Sequence, residues 1–298
     1  MYVDFKTLDQ PGDEDYLWRY IKPERLESLL KGEIYFSALL DFEDRHEAMT
    51  PLHAAFYKFL TYSANKQFDL STPFPTQDTE TAIGTIMMWI SLYDLEKKLT
   101  LLGLVERSEQ MPELIHHYLD DPAILHQPHR EVLNKFYSNC WFMGKYDESA
   151  LMWSAYSKPG GVAIRIKFAD FKQQCLDYFE KSKDEGIATI HGGLIKYVDH
   201  DADFEAWQQQ IDSGVPLAFF KQHHFAEERE YRLLIERDPF FSKNDFNSLL
   251  PVFDQFEKYD LVLHPSSSQD DYMALQSRIS NHSRRLSFSR LSFNKRPH

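Results

Sequence analysis

With 298 residues, 43% of them hydrophobic and 15% aromatic, the chain can bury a sizeable core, which excludes disorder as a whole-chain description. A formal net charge of -13 argues against broad, non-specific binding to nucleic acid or anionic lipid, although a local basic groove stays compatible with it. The two cysteines, Cys140 and Cys175, are too few for a disulfide framework and suit a reducing compartment.

The chain opens on an acidic stretch without an apolar signal region. "YLWRY" (16–20) reads as a short strand. "KPERLESLLKGE" follows as a helix: Pro23 suits its first turn, Leu26, Leu29 and Leu30 form an apolar stripe, and Gly32 suits its stop. "IYFSA" (34–38) is then a second strand, so the first forty residues predict a strand–helix–strand unit. Residues 45–66, 79–108 and 111–138 carry helical periodicity, separated by "STPFPTQD" (71–78) and "DDPAILHQPH" (120–129). This block, residues 45–138, reads as a helical insertion or lid, with 71–78 as its mobile loop. Its longest apolar run, 82–93, is too short to cross a bilayer, and a soluble cytoplasmic protein with no membrane partner is expected.

Strand character returns at "NCWFMG" (139–144). In "DESALMWSAYS", Asp147 is the predicted N-cap, and Glu148, Met152 and Tyr156 lie four apart on one helix face. "KPGG" makes a turn into "VAIRIKF" (162–168), which alternates as a strand should. A helix (169–183), a strand near 193–198, helices near 203–224, the "EREYRLLIE" strand, a strand at 259–265, a helix near 269–281 and a last strand within 284–293 complete the pattern. The predicted fold is one α+β domain over residues 1–298, a mixed or antiparallel sheet split by the helical insertion, with 139–298 supplying the second half of the core. The tail beyond Asp271 has no acidic residue but holds Arg278, Arg284, Arg285, Arg290, Lys295 and Arg296. It reads as a solvated terminus or as a phosphate-contacting surface.

"FAEEREYRLLI" (225–235) places charge inside a strand, which is costly unless paired, solvated or used. If residues 226–234 are a strand, Glu228, Glu230 and Arg232 share a face. Either they pair along a solvent face, or they serve chemistry; a helical stretch is the third option, since Glu228 and Arg232 lie four apart and could pair there too. Two carboxylates on one strand, an Arg on an N-terminal strand and a Ser or Tyr on the next can stabilise a ribosyl cation as nicotinamide leaves NAD. Candidates are Glu230 and Glu228 as catalytic acids, Arg19, Tyr20, Tyr35 and Ser37 for NAD, and Asp44, Glu47, Glu148, Trp153, Tyr156 and Arg232 as further cleft residues. Trp153 and Tyr156 also fit a core, and Asp44 and Glu47 also fit a helix start. Asp44, Glu47 and Glu148 with a divalent ion would instead make a nuclease-like site. The His pairs at 116–117 and 223–224 and "HQPH" (126–129) lack metal-ligand spacing, so no resident metal is expected. Cys140 fits a core strand better than a nucleophile's place.

"LWRY…LLKGEIYFSALLDFEDRHEA", "NCWFMGKYDESALMWSAYSKPGGVAIRIKF", "IKYVDH" and "KQHHFAEEREYRLLI" together resemble the bacterial domain of unknown function 2971 family over most of the chain. That family resembles the ADP-ribosyltransferase superfamily remotely. The resemblance implies an ADP-ribosyltransferase-like core, NAD as substrate, a protein or nucleic-acid acceptor, and a toxin or phage-defence role. It implies Arg19 at the first-strand basic position, Tyr35 or Ser37 at the second and Glu230, preceded by Glu228, at the acidic one. "YFSA" matches only part of the Ser-Thr-Ser pattern of arginine-modifying transferases. A non-catalytic sensor or binding module of a defence or stress system is the alternative expectation.

Overall fold

The structure, a computed structural model, describes residues 2–6, 8–42, 48, 55, 97, 133–144, 147–181, 186–199, 216–238, 249–252, 259–279 and 285–291. The chain divides into two compact units, Met1–Glu43 with Asn134–Tyr197 and His223–His298, and Asp44–Leu133 with Val198–Gln222. Most of the predicted helical block, 45–138, lies outside the described residues, as does most of the helical stretch predicted near 203–224; the described end of that stretch is a 3-10 turn (Leu217–Phe219), a strand (Phe220–Gln222) and the start of a further 3-10 helix instead of α-helix. At the end of the 45–138 block, residues 136–138 are strand rather than helix.

In chain order the elements are β1 (Tyr2–Asp4), β2 (Tyr16–Ile21), a 3-10 turn (Pro23–Arg25) running into α1 (Leu26–Leu30), β3 (Ile34–Tyr35), β4 (Ser37–Ala38) and β5 (Phe136–Met143). Next come α2 (Ala150–Tyr156), β6 (Val162–Lys167), α3 (Phe168–Lys181), β7 (Ile187–Leu194), β8 (Lys196–Val198) and β9 (Phe220–Gln222). A 3-10 helix (His223–Glu228), β10 (Glu230–Arg237), β11 (Leu249–Leu250), β12 (Tyr259–Leu263), α4 (Gln269–Ile279) and β13 (Leu286–Phe288) complete the described chain. Within the smaller unit, a 3-10 turn (Leu217–Phe219) leads into β9 and buries Ala218, Phe219 and Phe220.

In the larger unit nine described strands form one mixed sheet, in the order β1-β7-β10-β5-β2-β6-β12-β13, with β4 also on β5. β1–β7 and β12–β13 are parallel and the other pairs antiparallel. Strand alternation sorts the side chains onto two faces. One face carries Leu17, Ile164, Trp141, Tyr231, Leu233 and Ile235 and packs on α3 through Phe168, Phe171, Cys175 and Phe179. Its aromatic rings meet edge to face, with centroids 4.9 Å apart for Trp141–Phe171 and 5.3 Å for Phe168–Tyr231. The other face presents Trp18, Tyr20 and Ala163 to Met152 and Trp153 of α2. Tyr20 and Trp153 pack edge to face at 4.8 Å.

The second predicted strand is two pieces. β3 pairs with β11, Tyr35 opposite Leu249, whereas β4 pairs with β5, Ser37 opposite Ser138. Phe36, wholly buried between them, marks the break. On the same edge of β5, β2 pairs only at Leu17–Met143 and Trp18–Phe142. The ladder therefore skips residues 139–141, and a gap opens between β2 and β4. α2 is capped by Ser149, whose Oγ accepts from the Met152 amide at 3.2 Å; Asp147, the predicted cap, lies two residues too early.

Candidate functional site

The gap beside β5 is where the first candidates meet. Arg19 points from β2 into it. Its Nη1 donates to the Cys140 carbonyl at 2.6 Å and its Nη2 to the Tyr35 carbonyl at 3.4 Å. Asn139 adds a side-chain bond to the same Tyr35 carbonyl at 2.8 Å and accepts from Trp141 Nε1 at 2.5 Å. These bonds satisfy backbone acceptors at a place where strand pairing stops, as buried carbonyls require. Burial pushes the Arg19 guanidinium below its ordinary value; Cys140 opposes this, the nearby Arg25 charge reinforces it, and Glu230 opposes it.

A pocket of about 160 Å³ lies against this corner. It is lined by Arg19, Tyr20, Lys22, Arg25, Ser28, Glu33, Tyr35 and Tyr156, with Ile21, Leu29, Ile34 and Leu249 as its apolar floor. Lys22 and Arg25 flank Pro23 where β2 turns into α1, so the short helical turn carries both toward one side. The Arg25 guanidinium lies over the Tyr35 ring at 4.3 Å, a cation–π stack. Tyr156, the last residue of α2, is 47% exposed, and its hydroxyl donates to Glu228 Oε1 at 3.0 Å. Both ends of α2 are tied to β2: the Ser149 amide donates to the Tyr20 hydroxyl at 2.8 Å, and the Ser157 hydroxyl to the Ile21 carbonyl at 2.9 Å.

Arg19, Tyr20, Tyr35 and Tyr156 are thus brought to one pocket, and Glu228 stands one hydrogen bond from it. Glu230 does not line it. β10 begins at Glu230, because residues 223–228 form a 3-10 helix and Arg229 adopts a left-handed φ of 39°. Glu228 and Glu230 therefore do not share a strand face as the alternation predicted. Glu230 is buried, its Oε1 accepting from Arg232 Nε at 2.7 Å, and Arg232 is wholly buried with its guanidinium 5.6 Å from the centre of the Phe42 ring. Cys140 and Ser138 share that face of the sheet, and burial together with Glu230 raises the Cys140 thiol to about 12, so it stays protonated at neutral pH.

The remaining candidates are dispersed. Ser37 belongs to β4 and is absent from the pocket lining. Trp153 is wholly buried in the core, and its Nε1 donates to Glu148 Oε2 at 2.9 Å. Glu148 precedes α2 instead of sharing its face with Met152; it also accepts from the Ser289 hydroxyl and, at 2.7 Å, from the Arg290 amide. Its oxygens are occupied by the C-terminal segment, which leaves it poorly placed for a metal. Asp44 and Glu47 lie outside the described residues. Lys22, Arg25, Ser28 and Glu33 were not singled out from the sequence, although "IKPER" directly after a strand places two cations on either side of a Pro-initiated turn.

The matched segment runs from within α2 to β10: a family model described as Protein of unknown function (DUF2971) matches residues 152–233. The match supports the DUF2971 resemblance over that segment and not over most of the chain. The matched residues include Tyr156, Glu228, Glu230 and Arg232, but not the β2–α1 side of the pocket. No curated protein and no solved structure matches the chain. Among the described residues no helix is long and apolar enough to cross a membrane.

Proposed function

We propose that the pocket binds a nucleotide of the NAD class and that the protein catalyses ADP-ribosyl transfer or the related hydrolysis of NAD. One observation carries the reading: Arg19, Lys22 and Arg25 line a single pocket against one lining carboxylate, Glu33, in a chain whose net charge is -13. Such a concentration of positive charge favours an anionic ligand. Tyr35 and Tyr156 add aromatic surface suited to a base or a nicotinamide ring.

In the reaction the bond between ribose C1′ and the nicotinamide nitrogen breaks, and its electron pair leaves with nicotinamide. Water or an acceptor nucleophile then captures the ribosyl cation and loses a proton. Glu228, held at the pocket by Tyr156, is the carboxylate assigned to stabilise that cation and orient the nucleophile. Glu230 is given a structural role. An activity of this kind would suit a toxin or a phage-defence effector with a protein or nucleic-acid acceptor. The ion pair that withdraws Glu230 into the sheet favours a second reading, a non-catalytic sensor of the same ligand.

Calorimetry with NAD, paired with an assay for released nicotinamide, separates the two. Binding with release is expected, and Glu228→Gln should lower turnover by about 10²–10³-fold with its melting temperature preserved. Binding without release supports the sensor, and absence of binding removes both.

A further inference from the structure

We infer that Lys22 and Arg25, with the Ser28 hydroxyl beside them, anchor a phosphate or pyrophosphate group, whereas Arg19 braces the backbone. The nucleotide to which that group belongs rests on the reading above; the anchor itself rests on how the local charges are paired. Both terminal nitrogens of Arg19 are engaged by the carbonyls of Cys140 and Tyr35. Arg25 and Lys22 stand differently. The acids that flank Arg25 in sequence pair elsewhere: Glu24 with Lys158 and Glu27 with Arg278. Among the described residues no ion pair reaches Lys22 or Arg25, and Glu33 is the pocket's one lining carboxylate.

Stacking on Tyr35 engages the face of the Arg25 guanidinium and leaves its in-plane N–H donors for a ligand. That planar fork matches two phosphate oxygens, and a lysine ammonium adds a point charge. The pocket's size agrees. At about 160 Å³ it falls below the roughly 300–1,000 Å³ of sites that enclose a whole small-molecule ligand, which suits a phosphate or pyrophosphate group better than an entire dinucleotide. The rest of a larger ligand would lie outward, past the exposed Tyr156 ring.

The test is calorimetry on the full chain with inorganic pyrophosphate, ADP-ribose and NAD, for wild type, Lys22→Ala and Arg25→Ala. Wild type should bind pyrophosphate and ADP-ribose, less tightly as salt rises. Each substitution should weaken both by about tenfold or more, the effect of losing one charged hydrogen bond. Wild type that ignores pyrophosphate, or variants that bind it as tightly as wild type does, would overturn the anchor. Pyrophosphate binding lost in the variants, with no NAD binding in wild type, upholds the anchor and removes the NAD reading. NAD binding that is indifferent to both substitutions overturns the anchor and leaves the NAD reading in place.

Discussion

Arg232 and Arg25 carry the same guanidinium under opposite conditions. Arg232 has no exposed surface, and its Nε is pinned to Glu230 at 2.7 Å in the middle of a strand pair. Arg25 is exposed at a pocket, stacked on a ring, with its neighbouring acids paired to other cations. A charge in the sheet is tolerable only because a carboxylate accompanies it; a charge at the pocket has no such constraint and is available to a ligand. The difference teaches that in this fold carboxylate pairing, more than residue type, separates architecture from recognition.

The largest expected effect tests the buried half of that contrast. Glu230→Ala leaves Arg232 buried without its carboxylate and should cost about 3–5 kcal/mol in urea unfolding. Replacing both, Glu230→Leu with Arg232→Met, should recover much of the loss, because an apolar pair of similar volume is often no worse than a buried ion pair. If Glu230→Ala unfolds like wild type yet abolishes nicotinamide release, Glu230 is catalytic and the contrast fails.

Arg19 lies between the two cases, a cation at a pocket that is nonetheless committed to the backbone. Arg19→Ala removes its bonds to the Cys140 and Tyr35 carbonyls and should cost about 1.5–3 kcal/mol. Faster amide exchange over β3 and β4, with β6 and β12 unchanged, would place the damage at the gap. An unchanged exchange pattern would instead mark Arg19 as a ligand-facing cation like Arg25.

Much of this frame was legible in the sequence. Alternation in "VAIRIK" predicts β6, the run "YDLVL" predicts β12, and the Pro23–Gly32 punctuation predicts α1, because these signals are local. "IYFSA" misled: whether five apolar-rich residues make one strand or two depends on partners more than a hundred residues away, Ser138 and Leu249. The Glu-x-Glu reading failed for a different reason. Alternation presumes an extended backbone, and Arg229 breaks it with one left-handed residue that composition does not announce. The convergence of Arg19 and Tyr35 was legible because both lie within one short strand–helix–strand unit. Lys22 and Arg25 lie in the same unit, yet their importance follows from Glu24 and Glu27 having paired with Lys158 and Arg278, which no local reading supplies.

The smallest expected effect is therefore the most discriminating. Lys22→Ala and Arg25→Ala should each leave folding stability within about 0.5 kcal/mol of wild type, the range of surface substitutions, because neither side chain makes a capping hydrogen bond although Lys22 is the N-cap of the 3-10 turn and Arg25 that of α1. For Arg25 two contributions oppose each other. Removing it forfeits a stack on Tyr35 that is worth about 0.5–1 kcal/mol at an exposed site. It also relieves repulsion with Arg19, whose guanidinium the Arg25 charge disfavours. Urea unfolding at low and high salt resolves the balance: screening weakens the repulsion, so wild type should gain slightly more from added salt than Arg25→Ala does. A loss of 2 kcal/mol or more would show that Arg25 holds the fold as Arg232 does, and the distinction between the two arginines would disappear.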